Sequence, residues 1–211
     1  MYNAQFLCVG GVHIHKSMKT KIRYSITLPL LAALIFLSPR PAHTLLALSA
    51  AALHELGHLW AARRLRIPIS SLSFELLGAR INVSGRLYSY KDEILLCLAG
   101  PAANAVCGII SFISIAFFGE HEILAFFAVA SFSLCILNLL PIRSFDGGRI
   151  LSCALCRFAA PGRAEAVMDV LSFICCFLLW CISVYLLLRA GASFSLFIFS
   201  LSLFARLFIL E

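Results

Sequence analysis

The sequence predicts an all-α polytopic membrane protein of about six transmembrane helices, with a short β segment on the cytoplasmic side. Three observations predict it. Hydrophobic residues make up 62% of the 211-residue chain and charged residues 13%, more apolar side chain than a soluble fold of this size can hide from water. The apolar residues fall in runs approaching the roughly 20 residues that a hydrocarbon core requires. Of the 17 Lys and Arg residues, all but Arg40 and Arg189 fall on one side of the alternating topology that those runs define.

Met1 to Arg23 is an increasingly basic leader, and Ser25 to Leu37 is a first apolar run, short for a span. Pro39-Arg40-Pro41 is not a small-residue cleavage site and several runs follow, so a retained span is expected here and not a signal peptide. Ala42 to Ala62 covers about 31 Å at ~1.5 Å per residue and ends at the basic run Arg63-Arg64-Leu65-Arg66. Ile67 to Tyr90 then alternates, as in Ser71-Leu72-Ser73-Phe74-Glu75-Leu76, with breaks at Gly78 and Gly85. A strand pair at the membrane surface is expected. Glu93 to Phe118 is the third span and contains Gly100-Pro101; the turn Gly119 to Glu122 leads to the fourth, Ile123 to Leu140.

Pro141 ends that run, and the twin glycines Gly147 and Gly148 suggest an interrupted backbone with unusual angles. A short helix is expected over Arg149 to Ala159, stopped at Pro161-Gly162. Val167 to Leu188 and Ala192 to Leu210 complete the six spans. An even number places both termini, and the Ile67 to Tyr90 segment, in the cytoplasm. Residues 1–211 are expected to form a single membrane-embedded domain, with 42–148 as its core and 67–90 as a strand-like surface segment.

The net charge of +7 follows from the positive-inside bias and argues against a nucleic-acid partner. Most of the nine cysteines lie inside apolar runs and read as small hydrophobes. Cys153 and Cys156 form a lone CxxC, which without a second pair is weak evidence for a metal or redox site.

His54-Glu55-Leu56-Gly57-His58 places two imidazoles four residues apart on one helical face, a spacing that can hold one zinc ion. Glu55 beside them is placed to take a proton from a metal-bound water. Ionisable groups inside a span cost several kcal/mol unless paired or liganded, which disfavours two histidines merely satisfied by neighbouring helices. A zinc site that keeps one position for water needs a third protein ligand. Glu120 and Glu122 lie on the far side. Asp92, Glu93, Glu165 and Asp169 read as favourable charge at helix starts, and Glu75 and Glu211 lie in surface and terminal segments. Asp146 remains, its ordinary reading being a turn-capping aspartate.

Three motifs, His54 to His58, Ala99-Gly-Pro-Ala-Ala-Asn104, and Asn138 to Gly148 (NLLPIRSFDGG), together resemble the site-2 protease (M50) family of intramembrane zinc metalloproteases. The likeness is to its compact six-span type, which includes a sporulation protease that processes a sigma-factor precursor. The resemblance implies His54, His58 and Asp146 as Zn2+ ligands, Glu55 as catalytic glutamate, and Asn138 as a contact to substrate backbone. It also implies a transmembrane or membrane-associated protein substrate, a membrane regulatory protein as a further partner, and residence in a bacterial cell membrane. Phe145 replaces the usual aliphatic residue before the aspartate, and Ser144 stands where many compact members have proline. No PDZ insert fits in the turn between the third and fourth spans.

Two other classes stay open: a metal transporter, which would need polar positions through the outer half of the spans, and a non-proteolytic membrane scaffold. An extended substrate could pair with an exposed edge at Ser70 to Leu77 or Ala79 to Ser84. Gly100-Pro101 reads as a close-packing kink, and Asn104 as either a substrate contact or a link between helices.

Overall fold

The computed structural model describes residues 21–23, 39–67, 69–75, 78–83, 89–190 and 194–209. In chain order these form β1 (Lys21–Arg23), α1 (Pro41–Arg64), β2 (Ile69–Glu75), β3 (Gly78–Val83), α2 (Tyr90–Phe118), α3 (Glu122–Asn138), α4 (Asp146–Phe158), α5 (Pro161–Ala190) and α6 (Phe194–Ile209). The described residues divide into two compact units, 21–175 and 176–209.

The expected fold class requires correction. Among the described residues three helices, not six, are long and apolar enough to cross a membrane: α1, α2 and the Gly162–Arg189 stretch of α5. Glu122–Asn138 and Leu196–Ala205 are apolar but shorter; α3 with its 17 residues reaches only about 25 Å. The first expected span, Ser25 to Leu37, lies outside the described residues. With three long helices the even-number argument that put both termini on one side no longer holds. Nor is the β segment an isolated pair within an otherwise all-α chain. β2 is the middle of a three-stranded sheet, antiparallel to β3 and parallel to β1, with Lys21, Ile22 and Arg23 opposite Ser71, Leu72 and Ser73.

In the larger unit α1, α2 and α3 pack on one another, α4 packs on α2, and β3 lies against α1. Small residues bring α1 and α2 together: a Cβ on Gly57 would stand 2.5 Å from the Ala99 carbonyl oxygen and 2.9 Å from the Ala103 Cβ. Close backbone approach of this kind is how helices associate where no hydrophobic drive separates protein from lipid. At the basic end of α1, Ala61, Ala62, Ile67 and Leu96 form a buried cluster. The outward faces carry Leu56, Trp60, Ile110 and Phe112, large and exposed, as lipid contact requires.

Helix ends follow local chemistry. α2 starts at Tyr90, three residues before the expected start, because Ser89 Oγ accepts from the Lys91 N–H and Asp92 Oδ2 accepts from the Ser89 N–H. α1 ends in a Schellman turn: the Ile67 N–H donates to the Ala62 carbonyl and the Arg66 N–H to the Arg63 carbonyl. Arg66 sits there at φ 54°, where glycine is usual. α4 begins at Asp146 and not at Arg149, so the aspartate rides on a helix. In the smaller unit, Ser183 and Ser200 join the end of α5 to α6 through a 2.8 Å hydroxyl contact, near the tilted rings of Trp180 and Phe204.

Candidate metal centre

α1 turns His54 and His58 toward α2, and both are buried. Neither could be there if α2 carried a side chain at Gly100: a Cβ at that position would stand 2.8 Å from His54 Cε1 and closer still to His58 Nε2. One residue on, Pro101 has no N–H to donate to the Cys97 carbonyl, although the helix continues through it. The neighbouring carbonyl of Leu96 accepts from His58 Nδ1 at 2.8 Å. Gly100-Pro101 therefore makes room for one imidazole pair and presents a backbone acceptor to it.

Asp146 arrives from the other side, in the first turn of α4. The twin glycines that follow are helical, and neither has a positive φ. Close approach explains them better than unusual angles: a Cβ at Gly147 would land on the Leu139 carbonyl and one at Gly148 on the Ile142 carbonyl. The ligand loop is thus folded tightly back over its own helix start. Asp146 Oδ2 lies 3.2 Å from His54 Nε2 and 3.1 Å from His58 Nε2, and the two Nε2 atoms are 3.1 Å apart. One donor atom from each of the three residues falls within 4.8 Å of the others, all buried.

The protons decide whether this cluster suits a cation. His58 Nδ1–H donates to the Leu96 carbonyl, which leaves its Nε2 lone pair facing inward. Asn104 Nδ2 stands 3.3 Å from His54 Nδ1, while Asn104 Oδ1, fully buried, has no partner. A half-turn of that amide gives Oδ1 a donor in the Nδ1–H of His54 and frees the second Nε2 lone pair. Two lone pairs and a carboxylate oxygen then converge with no proton among them, and Asp146 Oδ2 is without a hydrogen-bond donor. Such a set repels itself unless a cation sits between the groups, and outward Nδ1–H bonds are the usual support of metal-ligating histidines. The residues fit a divalent metal.

The other expected residues are placed as follows. Glu55 is half-buried beside His54, with its charge acting on His58. Asn138 is the last residue of α3, its Nδ2 donating to the Leu134 carbonyl of its own helix at 2.9 Å. Asn104 faces His54, linking α2 to α1. Glu93 lies in the first turn of α2, as expected of a helix-start charge, and is also buried and paired with Arg149. That role could have been sought in the sequence, since an arginine three residues beyond a buried ligand needs an acceptor of its own.

The profile of peptidase family M50 matches residues 43–122 and 114–181, a stretch that contains every group of this centre. The chain belongs to peptidase family M50. Among solved structures, a Site-2 Protease from Methanocaldococcus jannaschii is similar over 93% of each chain, with a TM-score of 0.62 and 20% sequence identity. At that identity the likeness speaks for the fold, an intramembrane-peptidase fold carrying a His/His/Asp cluster able to coordinate a metal ion. No curated protein matches this M50 chain significantly.

Proposed function

We propose that this M50 peptidase is a zinc endopeptidase that cleaves a membrane-associated protein near the cytoplasmic end of α1. The observation that carries the reading is the convergence of His54 Nε2, His58 Nε2 and Asp146 Oδ2, with His58 Nδ1–H bonded to the Leu96 carbonyl and His54 Nδ1 facing the Asn104 amide. Bound there, zinc supplies Lewis-acid polarisation of a carbonyl and lowers the pKa of a water to about 7. Glu55 accepts the proton of the attacking water and delivers it to the departing amide nitrogen. Asn138 at the end of α3 binds substrate backbone. Water enters from the cytoplasmic side, because His58 lies only about 7 Å along the helix from Arg63.

A substrate helix has to unwind at this point, since its carbonyls are otherwise committed to internal hydrogen bonds. Of the two edges expected from sequence, the one on β2 is occupied by β1 from Ser71 to Ser73, whereas the outer edge of β3 faces no strand among the described residues. β3 also lies against α1. It is therefore the strand we propose to pair with an extended substrate, for which an anchored transcription-factor precursor is one class.

Glu55→Gln tests the reading. The variant is expected to retain one metal per chain and to lose cleavage of a membrane-anchored substrate. Cleavage at the wild-type rate would remove Glu55 from the mechanism, and a purified wild-type protein with no stoichiometric metal would remove the centre itself.

A further inference from the structure

The ion pair between Glu93, which is buried, and Arg149, whose side chain is about half exposed, plays no part in the chemistry above, and as a stabilising contact it is poorly built. Glu93 is buried in α2, one carboxylate oxygen meets the Arg149 guanidinium, and the other, Oε2, has no partner among the described residues. Burying a carboxylate with an oxygen unsatisfied is expensive, and an apolar pair of similar volume would hold two helices together as well or better. What an ion pair adds is register.

Its placement gives that register a purpose. Arg149 lies three residues after Asp146, hence on the same face of α4 and one turn away. Glu93 lies three residues before Leu96, whose carbonyl accepts from His58 Nδ1. A closed ring of contacts results: from His58 to Leu96, down one turn of α2 to Glu93, across to Arg149, up one turn of α4 to Asp146, and back to His58 Nε2 at 3.1 Å. We propose that Glu93 and Arg149 are positioning residues that fix how far α4 holds Asp146 from the two imidazoles. The inference rests on the metal-centre reading given above. Neither residue touches the metal, and each acts through the helix turn that it shares with a ligand or a ligand's support.

Co2+ is the probe, because its visible absorption reports ligand number and geometry directly. Detergent-purified, monodisperse full-length protein is titrated with Co2+ for the wild type, Glu93→Gln, Arg149→Met, Arg149→Lys and the Glu93→Gln/Arg149→Met double variant. Supporting groups outside the ligand set typically contribute about 10- to 100-fold to metal affinity, and a loss in that range is expected for the two neutralising single variants, with an altered visible spectrum. The double variant should be no worse than either single one, and Arg149→Lys should recover part of the affinity. A variant that merely folds less well lowers the yield without changing the spectrum of the folded fraction. Wild-type spectra and affinities in Glu93→Gln and Arg149→Met would overturn the proposal while leaving the metal centre intact. A wild-type protein that binds no Co2+ would overturn the centre, and the proposal with it.

Discussion

Two arginines flank the aspartate of the centre at equal distance along the chain, and the protein treats them differently. Arg143, three residues before Asp146, reaches Asp169 at 2.7 Å, with both side chains about half exposed, while its backbone N–H donates to Ser172 Oγ at 3.0 Å. Arg149, three residues after, meets a Glu93 side chain that is only 10% exposed. The first pair ties the loop to the start of α5 at a wet boundary, where an ion pair contributes about 0–1 kcal/mol. The second sits where a lost partner leaves a charge stranded. The loop side of the ligand is fastened loosely, and the helix side is fastened so that it cannot slip quietly.

Substitutions can break this contrast in order of size. Asp146→Ala removes a ligand outright and should weaken metal binding by more than ~100-fold, beyond what supporting residues contribute; chelator competition measures it, and an affinity within tenfold of wild type would mean that the third ligand lies elsewhere. Arg149→Met should destabilise the protein by about 3 kcal/mol in detergent unfolding, the low end for a broken buried pair because the arginine side is half open. Gly148→Ala should destabilise it by about 1–3 kcal/mol, since the added methyl meets the Ile142 carbonyl and not a side chain that can turn aside. Arg143→Met should change stability by less than ~1 kcal/mol. Equal losses for the two arginine variants would erase the distinction between the two sides.

The centre was more legible than the fold around it. His54, His58 and Asp146 stand out in sequence because polar ligands amid apolar runs have few other uses, and helical spacing fixes the first two on one face. Asn104 does link two helices, one of its two expected readings, and Glu93 does lie in the first turn of α2, but their partners, His54 and Arg149, are 50 and 56 residues away, too far for local pattern to name them. The span count failed differently. Apolar composition marks a segment as buried in lipid or in protein but does not set the length of a helix, and α3 stops at Asn138 although apolar residues run on to Leu140. The twin glycines carried a true signal of something special about the backbone, but their φ angles are ordinary and the demand is for space.

The turn that closes α1 has one more consequence. Arg66 holds a left-handed angle that a glycine would adopt without strain, at a penalty on the order of 1–2 kcal/mol. Keeping an arginine there leaves three guanidinium groups within four positions, Arg63, Arg64 and Arg66, at the end of the helix that bears the imidazoles. Cations clustered this way favour anionic headgroups and resist being drawn into hydrocarbon. The turn thus keeps three cations together five to eight residues beyond His58, at one end of the helix that carries both imidazoles.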